Sequence, residues 1–382
     1  MKQPGSSRGR LFVTVAGREL SVSNLDKVFW PGDGYTKGDL IEYLVTAAPY
    51  LLPHLAGRPL NLTRYPDGIG GKSFYQKDIP GTAPPWVRTV TIAHGDHDVN
   101  YCLADSPATL AWLGQWGCLE IHPWLSRVDR LDNPDLVVFD LDPTPPAGFG
   151  EAVEIAFAVR RLLSEHGLRA YPKTSGATGV HLYLPVIRRF TYKEVERYVG
   201  RVADIIHQAL PGRTTRERSV ARRRGVYIDH LQNIKGKTLA AVYGPRPRPG
   251  APVSTPVTWE ELPGVRPEEW NLRTVPGRLA RLGDIFAGAL ADIQDPGPMM
   301  AALGLTGGYE PTAPASEGGQ GRWEPTDGLR NLNLTPVSSE ARRGASSLPP
   351  GADRRAYGGK RPPGPGPEPP TAPRSSEPGG RG

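Results

Sequence analysis

The sequence predicts an α+β fold of mixed and antiparallel sheets flanked by helices, and three observations carry that prediction. Apolar runs of strand length, such as Leu136-Val137-Val138-Phe139 and Val180 to Val186, interleave with longer stretches whose apolar residues recur at helical spacing. Hairpin signals, Ala16-Gly17 and Pro66-Asp67-Gly68, interrupt that order, which argues against a purely parallel, doubly wound sheet. From about Gly307 onward Gly, Pro, Ser and charged residues dominate, as in Pro362-Pro363-Gly364-Pro365-Gly366-Pro367. Such a stretch cannot bury enough apolar surface to offset its ordering entropy. The expected plan is a flexible 1–9, a folded region over 10–300 and a disordered tail over 301–382. No internal repeat is visible.

The elements follow in order. Residues 11–15 read as a strand whose hairpin partner starts at Glu19. Thr36 caps a helix running to about Leu52. Leu60 to Tyr65 and Ser73 to Gln76 read as strands. Ser106 caps a helix over Thr109 to Gly117, followed by Leu119-Glu120-Ile121-His122-Pro123-Trp124. A helix from about Gly150 to His166 carries apolar residues at Val153, Ile155, Ala156, Val159 and Leu163. A strand near Arg169 to Lys173 and another over Val180 to Val186 come next. Thr191 with Glu194 fits a capping box for a helix to about Leu210. Strands are expected at Val226 to Asp229 and Thr238 to Tyr243, and helix at Glu268-Trp270 and over Arg278 to Leu290.

Composition narrows the function classes only partly. The 382 residues carry 46 Lys+Arg against 39 Asp+Glu, a formal net charge of +7, which is compatible with a polyanionic partner. Arg213 to Arg224 holds six arginines. The two cysteines, Cys102 and Cys118, form no CxxC pair, so neither a zinc ribbon nor a disulfide framework is indicated. There is no run of about 18 apolar residues and no apolar N-terminal leader, so the expectation is a cytoplasmic protein without a membrane partner.

Three motifs carry chemistry. Asp140-Leu141-Asp142 ends an apolar strand, and alternation points both carboxylates the same way. Two like charges that close are unfavourable unless a cation lies between them, and hard oxygen ligands suit Mg²⁺ or Mn²⁺. Ser175-Gly176-Ala177-Thr178-Gly179-Val180-His181 lies between two strands. Its glycines let backbone N–H groups approach an anion, Ser175 can donate to a phosphate oxygen, and Lys173 and His181 add charge nearby. Val226-Tyr227-Ile228-Asp229 brings a third acid at a strand end, completing a set suited to two divalent ions. Each motif alone has a plainer reading: solvated acids, an ordinary glycine turn, a turn aspartate.

Taken in order, DxD, SGxxGxH and a strand-borne Asp resemble the archaeo-eukaryotic primase superfamily. Leu25-Asp26-Lys27-Val28-Phe29, Tyr35-Thr36-Lys37, Phe74-Tyr75-Gln76-Lys77, Leu119-Glu120-Ile121-His122 and Arg248 to Pro256 narrow the likeness to the polymerase module of bacterial ATP-dependent DNA ligase D, over roughly residues 10–295. The resemblance implies a primase-like core in which an N-terminal α/β module, about 10–130, is fused to an RRM-like catalytic module, about 131–300. It implies a DNA-directed nucleotidyltransferase of non-homologous end joining that fills gaps and extends ends, prefers ribonucleotides, and works with two Mn²⁺ or Mg²⁺ ions.

Carried over residue by residue, Asp140, Asp142 and Asp229 would be the metal-binding catalytic set. Ser175, Gly176, His181, Arg222 and Arg246 would hold the triphosphate or metal-site groups, beside the cation that Lys173 adds one strand-step earlier, and His122 would lie near the ribose. Lys27 and Lys37 would grip the 5′-phosphate of a downstream strand, with Phe74 and Tyr75 stacking on template and Arg64 alongside. Strand alternation by itself would instead send one of Phe74 and Tyr75 into the core. Two departures stand out. Thr178 replaces a frequently basic residue, and Val242-Tyr243-Gly244-Pro245 stands where a Pro-Tyr-Ser type sequence is usual.

The sequence shows no KxDG-type adenylation lysine and no phosphoesterase cluster. Ku and a separate ATP-dependent ligase are therefore expected partners, beside DNA ends and NTP or dNTP, in a nucleoid-associated setting. A general primase-polymerase and a non-catalytic end-bridging module remain the alternatives. A metal-dependent phosphohydrolase is disfavoured by the lack of a water-activating His/Asp cluster near the DxD.

Overall fold

A computed structural model describes residues 10–305, apart from 96. β1 (Leu11–Val15) and β2 (Arg18–Val22) form the expected hairpin, turned at Ala16 and Gly17, both at positive φ as a tight two-residue turn requires. β3 (Val28–Trp30) pairs with β4 (Tyr35–Thr36). The Thr36 hydroxyl accepts from the Asp39 amide and the Asp39 carboxylate accepts from the Thr36 amide, so the start of α1 (Lys37–Leu55) is capped in both directions.

The first sheet is antiparallel. It holds β5 (Leu60–Arg64), β6 (Phe74–Gln76), β7 (Arg88–His94) and β8 (His97–Leu103). After α2 (Pro107–Gln115), β9 (Cys118–Pro123) returns to pair with β5. Ser106 caps α2 as expected, with Pro107 in the first turn, where its missing N–H costs nothing. The β7–β8 hairpin was not assigned from sequence, although Thr89-Val90-Thr91-Ile92 ahead of Gly95 is a legible strand-and-turn signal.

The second sheet is mixed, in the order β11-β12-β10-β14-β13. Its members are β10 (Leu136–Thr144), β11 (Tyr171–Thr174), β12 (Val180–Pro185), β13 (Thr214–Thr215) and β14 (Gly225–Ile228), and only β13–β14 is parallel. α3 (Phe149–Glu165) and α4 (Tyr192–Ala209) cover one face, with the Thr191/Glu194 box opening α4. The parity of β10 decides where its side chains go. Val137, Phe139 and Leu141 pack into the core with α3 and α4, whereas Leu136 and Val138 join the core of the first sheet. Burial on both faces explains the unbroken apolar run. Each such side chain contributes about 1.5–3 kcal/mol of transfer free energy. A one-residue slip would exchange the two faces. Asp140 and Asp142 continue the Leu136–Val138 face, so they open into the space between the two sheets. Buried Asn233 accepts from the Val138 amide and donates to its carbonyl, clamping β10 where β14 no longer pairs with it.

The segment after Asn233 departs from expectation. Thr238 to Tyr243 is not a strand: Thr238 makes one isolated bridge to Trp124, and Tyr243 sits at φ 59°, which ends any ladder. Leu239 to Tyr243 are buried without being paired in a ladder, and the apolar run looked strand-like for that reason. The actual strands are β15 (Gly244–Pro245) and β16 (Val253–Ser254). The helix expected over 278–290 is broken at Gly283, φ 65°, into α5 (Thr274–Leu282) and α6 (Gly288–Ala291). Glu268-Trp270 falls partly in a short 3-10 turn, Pro267–Glu269. α7 (Gly297–Ala302) crosses the expected boundary at 300, and Leu303 is buried. The tail expected beyond it lies, from residue 306, outside the described residues, as do residues 1–9. No described helix is long and apolar enough to cross a membrane.

Candidate active site

The pairing register builds a row of functional groups across the second sheet. Lys173 on β11 faces His181 on β12, and His181 faces Asp140 on β10. On the other side Leu141 pairs with Ile228, and the Asp229 amide donates to the Asp140 carbonyl at 2.8 Å. Directly opposed residues share a face, so Lys173, His181, Asp140 and Asp229 stand side by side, with Asp142 one pleat further along. Ligand oxygens of Asp140, Asp142 and Asp229 all lie within 4.8 Å of one another. The Asp229 carboxylate also accepts from the Leu231 amide at 3.0 Å, tying it to the turn that follows.

Electrostatics make this cluster a candidate cation site. Burial, then the charge of Asp229, pushes the Asp140 carboxyl up to about 7. Burial, then Asp140 and Asp229, does the same for Asp142, also to about 7. Asp140 Oδ1 is buried with no hydrogen-bond partner among the described residues. His181 Nε2 lies 3.2 Å away, without hydrogen-bond geometry. Three converging carboxylates, one with an orphaned buried oxygen, fit hard divalent ions in donor type and charge.

The loop 175–179 differs in detail from the expected nest. Gly176 takes φ 69°, and a Cβ there would lie 2.6 Å from the Arg246 side chain and 2.9 Å from the Ser254 amide. The Ser175 hydroxyl accepts from the Ala177 and Gly179 amides, at 3.1 and 3.0 Å. Those two N–H groups therefore brace the loop instead of facing an anion. The hydroxyl oxygen is thus occupied as an acceptor by the loop's own amides.

Arg246 and His122 flank the loop through a residue the sequence analysis passed over. Glu120 lies 3.2 Å from Arg246 and 3.7 Å from His122. Burial pushes its carboxyl up, but hydrogen bonding and charge from His122, with the charge of Arg246, outweigh burial and hold it below the usual range. Its position two residues before His122 on one strand was the available signal.

Lys173 does not stand open to a ligand. It is fully buried beneath the site, its Nζ 3.0 Å from His181 Nδ1 and 3.0 Å from the Ala240 carbonyl, and bonded to the Ser254 hydroxyl. Burial, then Arg246, pulls its pKa well down, opposed by Asp140. Burial, then Lys173, keeps His181 well below its ordinary value, so its imidazole is neutral rather than a positive charge beside the phosphates.

The loop arginines also sort differently. Arg222 is exposed and pairs with Glu217 at 2.9 Å. Arg223 instead lies 3.8 Å over the Tyr227 ring, and its charge reaches Asp140 and Asp142. Among consecutive arginines no sequence signal separates the two.

The second cluster lies at β3, α1 and β6. Lys37 is nearly buried, Nζ on the Ser23 carbonyl at 2.9 Å, and burial, then the charge of Lys27, lowers its pKa to about 8. Lys27 pairs with Asp67, in the loop between β5 and β6, at 2.5 Å. Phe74 and Tyr75 are 50% and 61% exposed, so neither enters the core, contrary to what strand alternation alone would give. Only three residues of β6 pair, at the sheet's edge, and among the described residues both aromatics stay exposed. Arg64 pairs in register with Phe74, but its guanidinium packs 3.9 Å over Trp116 and donates to the Trp116 carbonyl, which half-buries it.

With this geometry in hand, comparisons with known proteins are specific. Residues 36–286 match the family model for the LigD primase-polymerase domain. The chain is 35% identical over 288 residues to the multifunctional non-homologous end joining DNA repair protein LigD of Mycobacterium tuberculosis H37Rv, covering 73% of this chain and 38% of that protein. It is 34% identical over 289 residues to the bifunctional non-homologous end joining protein LigD of Bacillus subtilis 168, covering 75% of this chain and 46% of that protein. The chain thus spans less than half the length of these relatives. The solved polymerase domain of Mycobacterium tuberculosis ligase D, in complex with DNA, superposes with a TM-score of 0.67 at 34% identity, over 72% of this chain and 98% of that one. Fold and site together define a polymerase-type nucleotidyltransferase. The chain belongs to the LigD primase-polymerase domain family.

Proposed function

We propose that this protein fills gaps and extends broken DNA ends during bacterial non-homologous end joining, adding ribonucleotides in preference to deoxyribonucleotides and recognising the 5′-phosphate of the downstream strand. The observation that carries the reading is the convergence of Asp140, Asp142 and Asp229 within 4.8 Å, beside a loop whose own amides are bound to the Ser175 hydroxyl. Those three carboxylates would hold two Mn²⁺ or Mg²⁺ ions, which supply activation of the primer 3′-hydroxyl and charge neutralisation on the leaving pyrophosphate. Ser175, Arg246 and neutral His181 orient the triphosphate, with the backbone at Gly176 allowing its close approach. Arg223, rather than Arg222, offsets charge at the acids. His122, steadied by Glu120, faces the sugar. The work of the protein is positioning and fixed charge.

At the second cluster, the charge of Lys27 opposes that of Lys37, and a terminal phosphate dianion would relieve that repulsion. Phe74 and Tyr75 offer the sequence-tolerant stacking that a template strand needs. Exposed aromatics on β6, together with Lys27 and Lys37, favour end joining over priming de novo, which has no 5′-phosphate to bind. Ku and a ligase are the partners this role requires. The two sheets correspond, on this reading, to an N-terminal module of about 10–130 and a catalytic module of about 131–300. Replacing Asp140 and Asp142 by Ala should abolish nucleotide incorporation while leaving DNA-end binding within about twofold. Incorporation surviving in that variant would remove the acid set from the mechanism.

A further inference from the structure

We propose that Glu120 is a positioning residue that joins sugar recognition to triphosphate recognition: one carboxylate oxygen holds Arg246 and the other holds His122, so that preference for a ribonucleotide depends on a side chain touching neither sugar nor phosphate. The inference deepens the polymerase reading of the site and rests on it. Glu120 and His122 are two residues apart on β9 and so share a face. Register sets what lies opposite them on β5: Thr63 pairs with Glu120 and Asn61 with His122. The Ala241 amide donates to the Ile121 carbonyl at 2.9 Å, which brings the segment leading to Arg246 alongside the same stretch of β9. Oε1 of Glu120 then lies 3.2 Å from Arg246 Nη2, and Oε2 lies 3.7 Å from His122 Nε2.

Among the described residues no other acid lies within ion-pair distance of Arg246 or His122. Asn61, opposite His122, donates instead to the Gly236 carbonyl and the Thr238 hydroxyl. The Arg246 stem lies against Gly176, where a Cβ would come within 2.6 Å of its Cγ. The nucleotide loop thus holds the stem and Glu120 holds the guanidinium. The Glu120, His122 and Arg246 side chains are 12%, 15% and 18% exposed, so water screens the bridge far less than it would a surface pair. Loss of the carboxylate would free both arms at once. On the phosphate side Arg246 would lose its brace, which weakens the binding of any triphosphate. On the sugar side His122 would lose its brace, which weakens only a nucleotide that carries a 2′-hydroxyl.

The test compares ATP with dATP. Their Kd values for the Mg²⁺-loaded protein on gapped DNA with a templating thymine are measured by competition against a fluorescent nucleotide. E120Q keeps the size of the side chain and removes its charge. It should weaken ATP by about tenfold or more, the scale of one charge-assisted hydrogen bond, and dATP by clearly less. The dATP/ATP ratio of Kd values should therefore fall toward one, with the Kd for gapped DNA unchanged. In an H122A background E120Q should move that ratio by less than about twofold, because the sugar arm is already lost. A Glu120 that only supports the fold would weaken both nucleotides and DNA together and leave the ratio at its wild-type value, and that result would overturn the proposal. An unmoved ratio in E120Q, beside a wild type that incorporates nucleotide and prefers ATP, sinks the bridge and leaves the polymerase reading standing. A wild type without preference for ATP removes the sugar preference and the proposal with it. If E120Q fails to fold, E120D decides: it keeps the charge but is one methylene too short to span both partners. Either nucleotide affinity or the ratio must then change, and wild-type values for both would overturn the proposal.

Discussion

Metal-free, this protein should be destabilised by its own acid cluster, and Asp140→Asn should relieve that. Burial and Asp229 lift the Asp140 carboxyl from an ordinary 3.8 to about 7, so ionising it in the folded state is unfavourable. At about 1.4 kcal/mol per tenfold, that difference corresponds to roughly 4 kcal/mol, a ceiling because Asp142 shares the repulsion. The sign follows from linkage. The folded pKa is raised, so the folded state binds the proton more tightly than the unfolded chain. The destabilisation is full above the folded pKa near 7 and is relieved as pH falls toward the unfolded value near 3.8. At about pH 8 the Asn variant, neutral at every pH, should gain most of the ceiling. At about pH 5 its advantage should shrink to roughly 1.5 kcal/mol, because the folded wild type has by then taken up the proton.

The assay is thermal and urea unfolding with chelator present, at both pH values, wild type against Asp140→Asn. Adding Mg²⁺ or Mn²⁺ at 100 times its Kd should return about 2.7 kcal/mol to the wild type and little to the variant. A variant less stable than wild type without metal at the higher pH, or a difference that does not change with pH, would refute the reasoning. So would equal stabilisation of both proteins by metal.

Other outcomes follow from the same geometry. Lys37→Ala should erase the preference for a 5′-phosphorylated downstream strand and lower the salt slope of gap binding by about 1, read by fluorescence anisotropy across a salt series. Because burial and Lys27 bring the Lys37 pKa down to about 8, the wild-type phosphate preference should be full below that pH and decline as pH rises through it. Gly179→Ala would put a Cβ 2.4 Å from the Leu141 carbonyl, between the two acids of the DxD. It should cost about 1–3 kcal/mol by overpacking and weaken nucleotide binding, measured by unfolding and by titration with NTP.

Much of this arrangement was legible because it is local. Period-2 alternation pointed Asp140 and Asp142 the same way, and the caps at Thr36, Ser106 and Thr191 marked three helices to within two or three residues. What escaped depends on tertiary context. Lys173 reads as one more cation near a glycine loop, and only the second sheet's packing shows that it is buried under His181. Leu239 to Tyr243 looked like a strand because burial, not pairing, made it apolar. Phe74 and Tyr75 both stay exposed because β6 is short and lies at the sheet's edge. Arg222 and Arg223 are interchangeable as letters, and Tyr227 beneath one of them makes the difference.

The most direct test of the central claim is extension of a primer across a short gap with Mn²⁺ and either NTP or dNTP, with and without a 5′-phosphate on the downstream strand. The account predicts gap filling that depends on the phosphate and runs faster with ribonucleotides. Extension indifferent to the phosphate would contradict end-directed synthesis, and tight binding to the gap with no extension would leave the protein a bridge between ends instead of a polymerase.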